Sequence, residues 1–174
     1  MKRRSMTAIA AIIGALLVAG SGVAYASGIS QTGTQSSVQI FTGDPVAWTI
    51  NTVATWSDVP STTVQVVVPA GTNRIVDARF SAESLCAGTA TAWCAVRIIV
   101  VNNATGTVTE FSPVAGVDFK FDTPGTSEQA RSFERFSPSL GPGNYSIKAQ
   151  ALRMSGITTL TLDDYVLAVN VVNP

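Results

Sequence analysis

Two cysteines with seven residues between them, Cys86 and Cys94, stand where two runs of alternating residues meet. Before them Val76, Ala78, Phe80 and Ala82 share one phase while Asp77, Arg79, Ser81 and Glu83 share the other, and after them Val96, Ile98 and Val100 resume the pattern. A period of two places apolar side chains on one face of a strand, and an α-helix cannot satisfy it. The residues between the cysteines are small and flexible until Trp93. The sequence therefore predicts a β-hairpin whose neck is clamped by a Cys86–Cys94 disulfide. A ring that small stabilises by about 2–3 kcal/mol through loop entropy. Because the spacing is not Cys-x-x-Cys, the pair reads as a staple and not a redox centre.

The same reading extends along the chain. Strand-like runs are predicted at 38–42, 46–56, 62–68, 74–83, 94–102, 107–111, 117–121, 131–137, 144–152 and 158–172. Turn clusters separate them: Asn102-Asn103, residues 122–126 and Gly141-Pro142-Gly143. Pro69-Ala70-Gly71 reads as a tight turn, with proline at its second position and glycine at its fourth. In the last run Leu160 and Leu162 fall on even positions, whereas Tyr165, Leu167, Val169 and Val171 fall on odd ones. That phase slip at Asp163-Asp164 calls for a β-bulge, since a one-residue shift would otherwise turn every later side chain to the other face. Many short strands at even spacing predict an all-β fold, an antiparallel sandwich of jelly-roll type.

The N-terminus reads as an address. Lys2, Arg3 and Arg4 precede an apolar stretch at 8–19, and Ala24-Tyr25-Ala26 supplies small residues around a cleavage point after Ala26. The apolar stretch is too short to span a bilayer. The expected layout is a signal peptide at 1–26, a flexible polar leader at 27–37 and one β-sandwich domain at 38–174, exported to the extracellular space or a periplasm. The 174-residue chain balances 11 Lys+Arg against 11 Asp+Glu; cleavage removes three basic residues and no acid, leaving 8 against 11. No basic face for nucleic acid is expected. Histidine is absent, which removes Ser-His-Asp and Cys-His catalysis and imidazole-held metals.

Several segments together resemble one group of proteins. They are Val68-Pro69-Ala70-Gly71, Phe80-Ser81-Ala82-Glu83-Ser84-x-Cys86, Trp93-Cys94-x-Val96-Arg97-Ile98, Val117-Asp118-Phe119-x-Phe121-Asp122, Leu140-Gly141-Pro142-Gly143 with Gln150, and Leu162-Asp163-Asp164-Tyr165-x-Leu167. The combination resembles small secreted bacterial β-sandwich proteins, frequent in actinobacteria and their neighbours, to which no activity is assigned. The resemblance implies the fold and export, and it brings no catalytic residues. A looser likeness, to jelly rolls of tumour-necrosis-factor and complement-head type, implies assembly as trimers.

No catalytic constellation stands out. The acids form no pair whose spacing selects a glycosidase site, and no Gly-x-Ser-x-Gly or Ser-x-x-Lys motif occurs after residue 26. Glu83 and Arg97 lie at comparable distances from the two cysteines and are expected to form a cross-strand ion pair. Asp118, Lys120 and Asp122 alternate with Phe119 and Phe121, which predicts a solvated face and a buried one. Oxygen ligands for calcium would come from Asp122, or from Asp163 and Asp164. Trp48 and Tyr145 fall in apolar phases and are expected in the core, which leaves Trp93 as the candidate ligand-binding residue, able to stack on a sugar ring. The expected function is an exported, non-catalytic binding or adhesion module facing a glycan, cell-envelope component or protein. The alternative is a structural subunit that forms homo-oligomers, and a secreted hydrolase ranks behind both.

Overall fold

A computed structural model describes residues 34–42, 46–115 and 119–173. The signal segment at 1–26, residues 27–33 of the polar leader, and Val117 and Asp118 lie outside them. The described residues form ten strands and no helix. These are β1 (Thr34–Thr42), β2 (Trp48–Ile50), β3 (Ser57–Asp58), β4 (Val64–Val68), β5 (Ile75–Gly88), β6 (Cys94–Asn102), β7 (Val108–Glu110), β8 (Gln129–Phe136), β9 (Gly143–Arg153) and β10 (Ile157–Asn173). One sheet runs β1-β10-β5-β8 with β2 also on β10; the other runs β3-β9-β6-β7 with β4 also on β9. With β1/β2 and β3/β4 each taken as one interrupted strand, eight columns divide four to a sheet, and every named pairing is antiparallel. That is the jelly roll the periodicity predicts.

The inward phases are those the alternation assigns. Val76, Ala78 and Phe80 on β5 and Val96, Ile98 and Val100 on β6 are buried, as are Ile147, Ala149 and Ala151 on β9. On β10 the slip falls where expected. Asp163 pairs with Glu83 and Val166 with Ser81, so β10 spends three residues against two, and Asp164 takes a φ of +44°. The extra residue lets Leu160 and Leu162 on one side, and Tyr165, Leu167 and Val169 on the other, all enter one core at 0–1% exposure.

Four expectations are corrected. Cys86 and Cys94 are bonded, with a Cα separation of 6.0 Å, but they clamp no hairpin. β5 pairs with β10 and β8, whereas β6 pairs with β9 and β7. The chain crosses between the sheets at this point, and the disulfide joins the sheets to each other. The predicted strand at 46–56 is cut short: only Trp48–Ile50 of it forms a strand, and β3, in the other sheet, begins beyond it at Ser57. Ala54, at φ +53°, breaks it, its N–H donates to Arg153 O, and the Arg153 guanidinium captures Asn51 O at 2.7 Å. Residues 34–37, placed in the flexible leader, belong to β1 and pair along β10. The turn after β4 closes one residue later than predicted: Thr72 N–H donates to Pro69 O at 3.2 Å, which puts Gly71 at the third position with φ +75°, a conformation that favours glycine.

Both cysteines are buried, at 1% and 0% exposure. Reduction is expected to lower stability by roughly 2.5 kcal/mol through the entropy of so short a loop. Urea midpoints measured with and without reductant check this, and equal midpoints would remove the staple role. Among the described residues no helix is long and apolar enough to cross a membrane.

Candidate functional site

The residues singled out in the sequence fall in three separate places. Glu83 sits on β5 opposite Ala130 and Asp163, and Arg97 sits on β6 in the other sheet, so the expected ion pair between them does not form. Arg97 instead donates from Nη1 to Glu110 Oε2 at 3.2 Å, and from Nε and Nη2 to Gln150 Oε1 at 2.9 and 2.7 Å. Its guanidinium lies 4.3 Å from the centroid of the Trp56 ring. Gln150 Nε2 and Lys148 Nζ donate to the two oxygens of Asp58 at 2.7 and 2.8 Å. Burial pushes the Asp58 carboxyl up, but the hydrogen bonds from Lys148 and Gln150 and the charges of Lys148 and Arg97 outweigh it and hold the carboxyl below its ordinary value. This belt covers the outer face of the β3-β9-β6-β7 sheet, and each of its charges already has a partner.

Asp122 does not lie on a solvated face. It is 4% exposed, because its backbone pairs with Cys94 through N–H···O bonds of 3.0 and 3.1 Å and draws it between the sheets. Oδ2 accepts from Ser84 Oγ at 2.8 Å; Oδ1 accepts from Thr123 N–H at 2.8 Å and from Arg131 Nε and Nη2 at 3.2 and 3.0 Å. Both oxygens are thus committed to donors, which leaves little room for a cation. Asp163 Oδ1 accepts from Asp164 N–H at 2.9 Å and caps the bulge. Among the described residues no three acidic, histidine or cysteine side chains group closely enough to hold a metal.

Trp93 is half-buried, and Lys120 Nζ lies 5.1 Å from its ring centroid. A sugar stacking on that face would have to displace the ammonium. Tyr145 is 8% exposed within the core, and Trp48 is half-buried against it. On the outer face of the first sheet, Glu134 shares a hydrogen bond with Asp77, and this bond, with burial and the Asp77 charge, raises the Glu134 carboxyl above its ordinary value.

Two concavities lie among the described residues. One, of about 380 Å³, lies over Ser81, Glu83, Ala130 and Ser132 beside Asp164 of the bulge and is broadly open. The other, of about 400 Å³, lies at the far end of the sandwich from the disulfide, between β7 and the loop joining β8 to β9. Its floor is apolar: Val100, Leu140 and the ring of Tyr145. Its rim carries the hydroxyls of Thr105, Thr107, Thr109 and Ser139 and the amide of Asn102, and no charged side chain lines it.

Local hydrogen bonds hold both walls. In the β6–β7 turn Gly106, at φ +71°, donates to Asn102 O at 2.7 Å, while Asn102 Oδ1 accepts from Ala104 N–H at 2.9 Å. Thr105 Oγ1 donates to Thr107 Oγ1 at 2.8 Å. Opposite, Leu140 and Arg74 exchange backbone bonds of 2.9 and 2.8 Å, and Tyr145 Oη donates to Gly141 O at 3.0 Å. The result is a preformed hollow at the lower end of the size range of ligand sites, apolar below and hydroxylic above. The described residues that line it include no acid, no base and no thiol.

The hydroxyl rim escaped the sequence reading, although one signal was present. Thr107 and Thr109 share the odd phase of fully buried Phe111. Hydroxyls in the phase of a core residue mark a place where the interior opens.

No protein-family model matches the chain, and no curated protein does. Among solved structures it is similar to one of the infectious bursal disease virus Gt strain, at 12% identity and a TM-score of 0.40, covering 77% of this chain and 32% of that one. A mutant VP2 protein of infectious bursal disease virus, in derived T=1 particles, gives 9% identity and 0.42 over 88% and 40% of the two chains. Dimeric latent PorU from Porphyromonas gingivalis gives 12% and 0.34 over 86% and 14%. The chain spans less than half the length of each of these matches, and at such scores they bear on neither function nor partners.

Proposed function

We propose that this protein is an exported, non-catalytic binding module whose ligand is a neutral glycan, held in the cleft between β7 and the β8–β9 loop. The observation that carries this reading is the uncharged cleft itself, with hydroxyls and an amide set around an apolar floor. A sugar ring has the matching two-sided character, a face of C–H groups and an edge of hydroxyls. Export is supported by the charged and apolar N-terminal segment followed by small residues, and by a formed disulfide, which persists in oxidising surroundings. The non-catalytic reading is supported by the commitments of the carboxylates: Asp58, Glu110 and Asp122 each sit in an ion pair away from the cleft.

The test is retention on immobilised mannan, galactan, dextran and laminarin, followed by Thr109→Tyr. Thr109 is exposed on a short edge strand, where tyrosine suits the backbone, so the substitution fills the cleft and keeps the fold. Binding is expected to fall at least about tenfold, or 1.4 kcal/mol, with unchanged thermal unfolding, while Trp93→Ala retains it. Equal binding by Thr109→Tyr, or no retention on any of the four, overturns the proposal.

A further inference from the structure

We infer that β1 is an edge for self-association, along which two copies of this chain pair antiparallel about a two-fold axis and join their β1-β10-β5-β8 sheets into one. The inference is independent of the cleft and its ligand. It rests on how differently the edges of the sandwich are finished.

An edge strand presents unpaired N–H and C=O groups, and folds guard such edges by shortness, proline or charges turned inward. β2, β3 and β7 are two or three residues long. β4 has five residues and ends at Pro69, which has no N–H. β8 is longer, but it is guarded. Half-buried Arg131, Phe133 and Arg135 alternate with exposed Ala130, Ser132 and Glu134. Arg131 is held inward by Asp122, and the Arg135 guanidinium lies 4.4 and 5.0 Å from the ring centroids of Phe119 and Phe133. A strand docking on β8 would meet an edge anchored by inward charge.

β1 has none of these devices. It is nine residues long, Thr-Gln-Ser-Ser-Val-Gln-Ile-Phe-Thr, with no charge, no proline and no glycine, and it ends its sheet among the described residues. Its one irregularity, between Gln35 and Ser37, lies near its start and leaves residues 37–42 in unbroken register with β10. An uncharged strand is its own complement. In an antiparallel pair about a two-fold axis each copy offers the same sequence, and no like charges face each other. A second copy is therefore the occupant this edge suits.

The test uses sedimentation of the purified protein and of two double variants at register positions opposite half-buried Asn170 and Ala168, not opposite core Val171 and Val169: Val38→Lys with Ile40→Lys, and Val38→Glu with Ile40→Glu. The unsubstituted protein is expected to sediment as a dimer. Either variant alone should dimerise about tenfold more weakly, because identical charges now face each other across the new ladder. An equimolar mixture of the two should recover the dimer, a result that misfolded variants could not give. A monomeric unsubstituted protein, a dimer that persists in both variants, or a mixture that stays monomeric overturns the inference.

Discussion

Asp122→Ala is expected to lower stability by about 3 kcal/mol, a fall of roughly 10 °C in the unfolding temperature of a domain this size. Three groups lose their acceptor at once: buried Ser84, the Thr123 N–H, and Arg131. Breaking a buried pair by removing one partner costs more than the pair contributes, because the partner left behind is no longer solvated. The Arg131 side chain is 35% exposed and can recover water, which sets the value at the lower end of the range for such changes. Arg131→Ala should cost less, about 1–2 kcal/mol, since Ser84 and Thr123 still hold the carboxylate. Urea unfolding followed by tryptophan fluorescence separates the two. If Asp122→Ala proves no worse than Arg131→Ala, the carboxylate is not the centre of this cluster.

Phe80→Ala should cost about 4 kcal/mol, a large part of the stability of an ordinary domain. Phe80 is fully buried on β5, and its ring lies 5.8, 6.1 and 6.5 Å from those of Phe121, Phe133 and Tyr165. Its ring meets β8, β10 and the segment leading to Asp122, so its loss opens a cavity that no single neighbour can fill. Phe133, half-buried on an edge strand, can be replaced with room for relaxation, and Phe133→Ala should cost about half as much. Equal losses at the two positions would show that the cluster has no centre.

Alternation carried the sequence reading furthest. It placed most of the strands, the buried phases and the bulge at Asp163-Asp164, because each depends only on which side chains share a face; it failed at 117–121, whose described residues 119–121 form no strand, and over most of 46–56. What it could not assign was the sheet to which a strand belongs. A hairpin and a crossing between sheets have the same alternation on either side of a short loop, so the strands flanking Cys86 and Cys94 looked like neighbours. The Glu83–Arg97 pair failed with that assumption: the partner of Arg97 is Glu110, which comes into range only once β6 and β7 pair. Asp122 looked solvated for a related reason. Its burial comes from a backbone bridge to Cys94, a contact between segments remote in sequence. The cleft was hidden because threonine suits an exposed strand as readily as the rim of a hollow.

The link between Cys86 and Cys94 also makes the two ends of the sandwich chemically unlike. On β6 and β9 the disulfide end lies at the pairing of Cys94 with Arg153, and the cleft end at that of Asn102 with Tyr145, about 26 Å away along the strands. Two sheets bound covalently at one end behave like the covers of a book sewn along its spine. The margin where the threonine hydroxyls stand has its own fastening, the backbone bridges of Arg74 with Leu140 and of Ser112 with Phe136, so cutting the spine by reduction would leave that margin's hydrogen bonds in place.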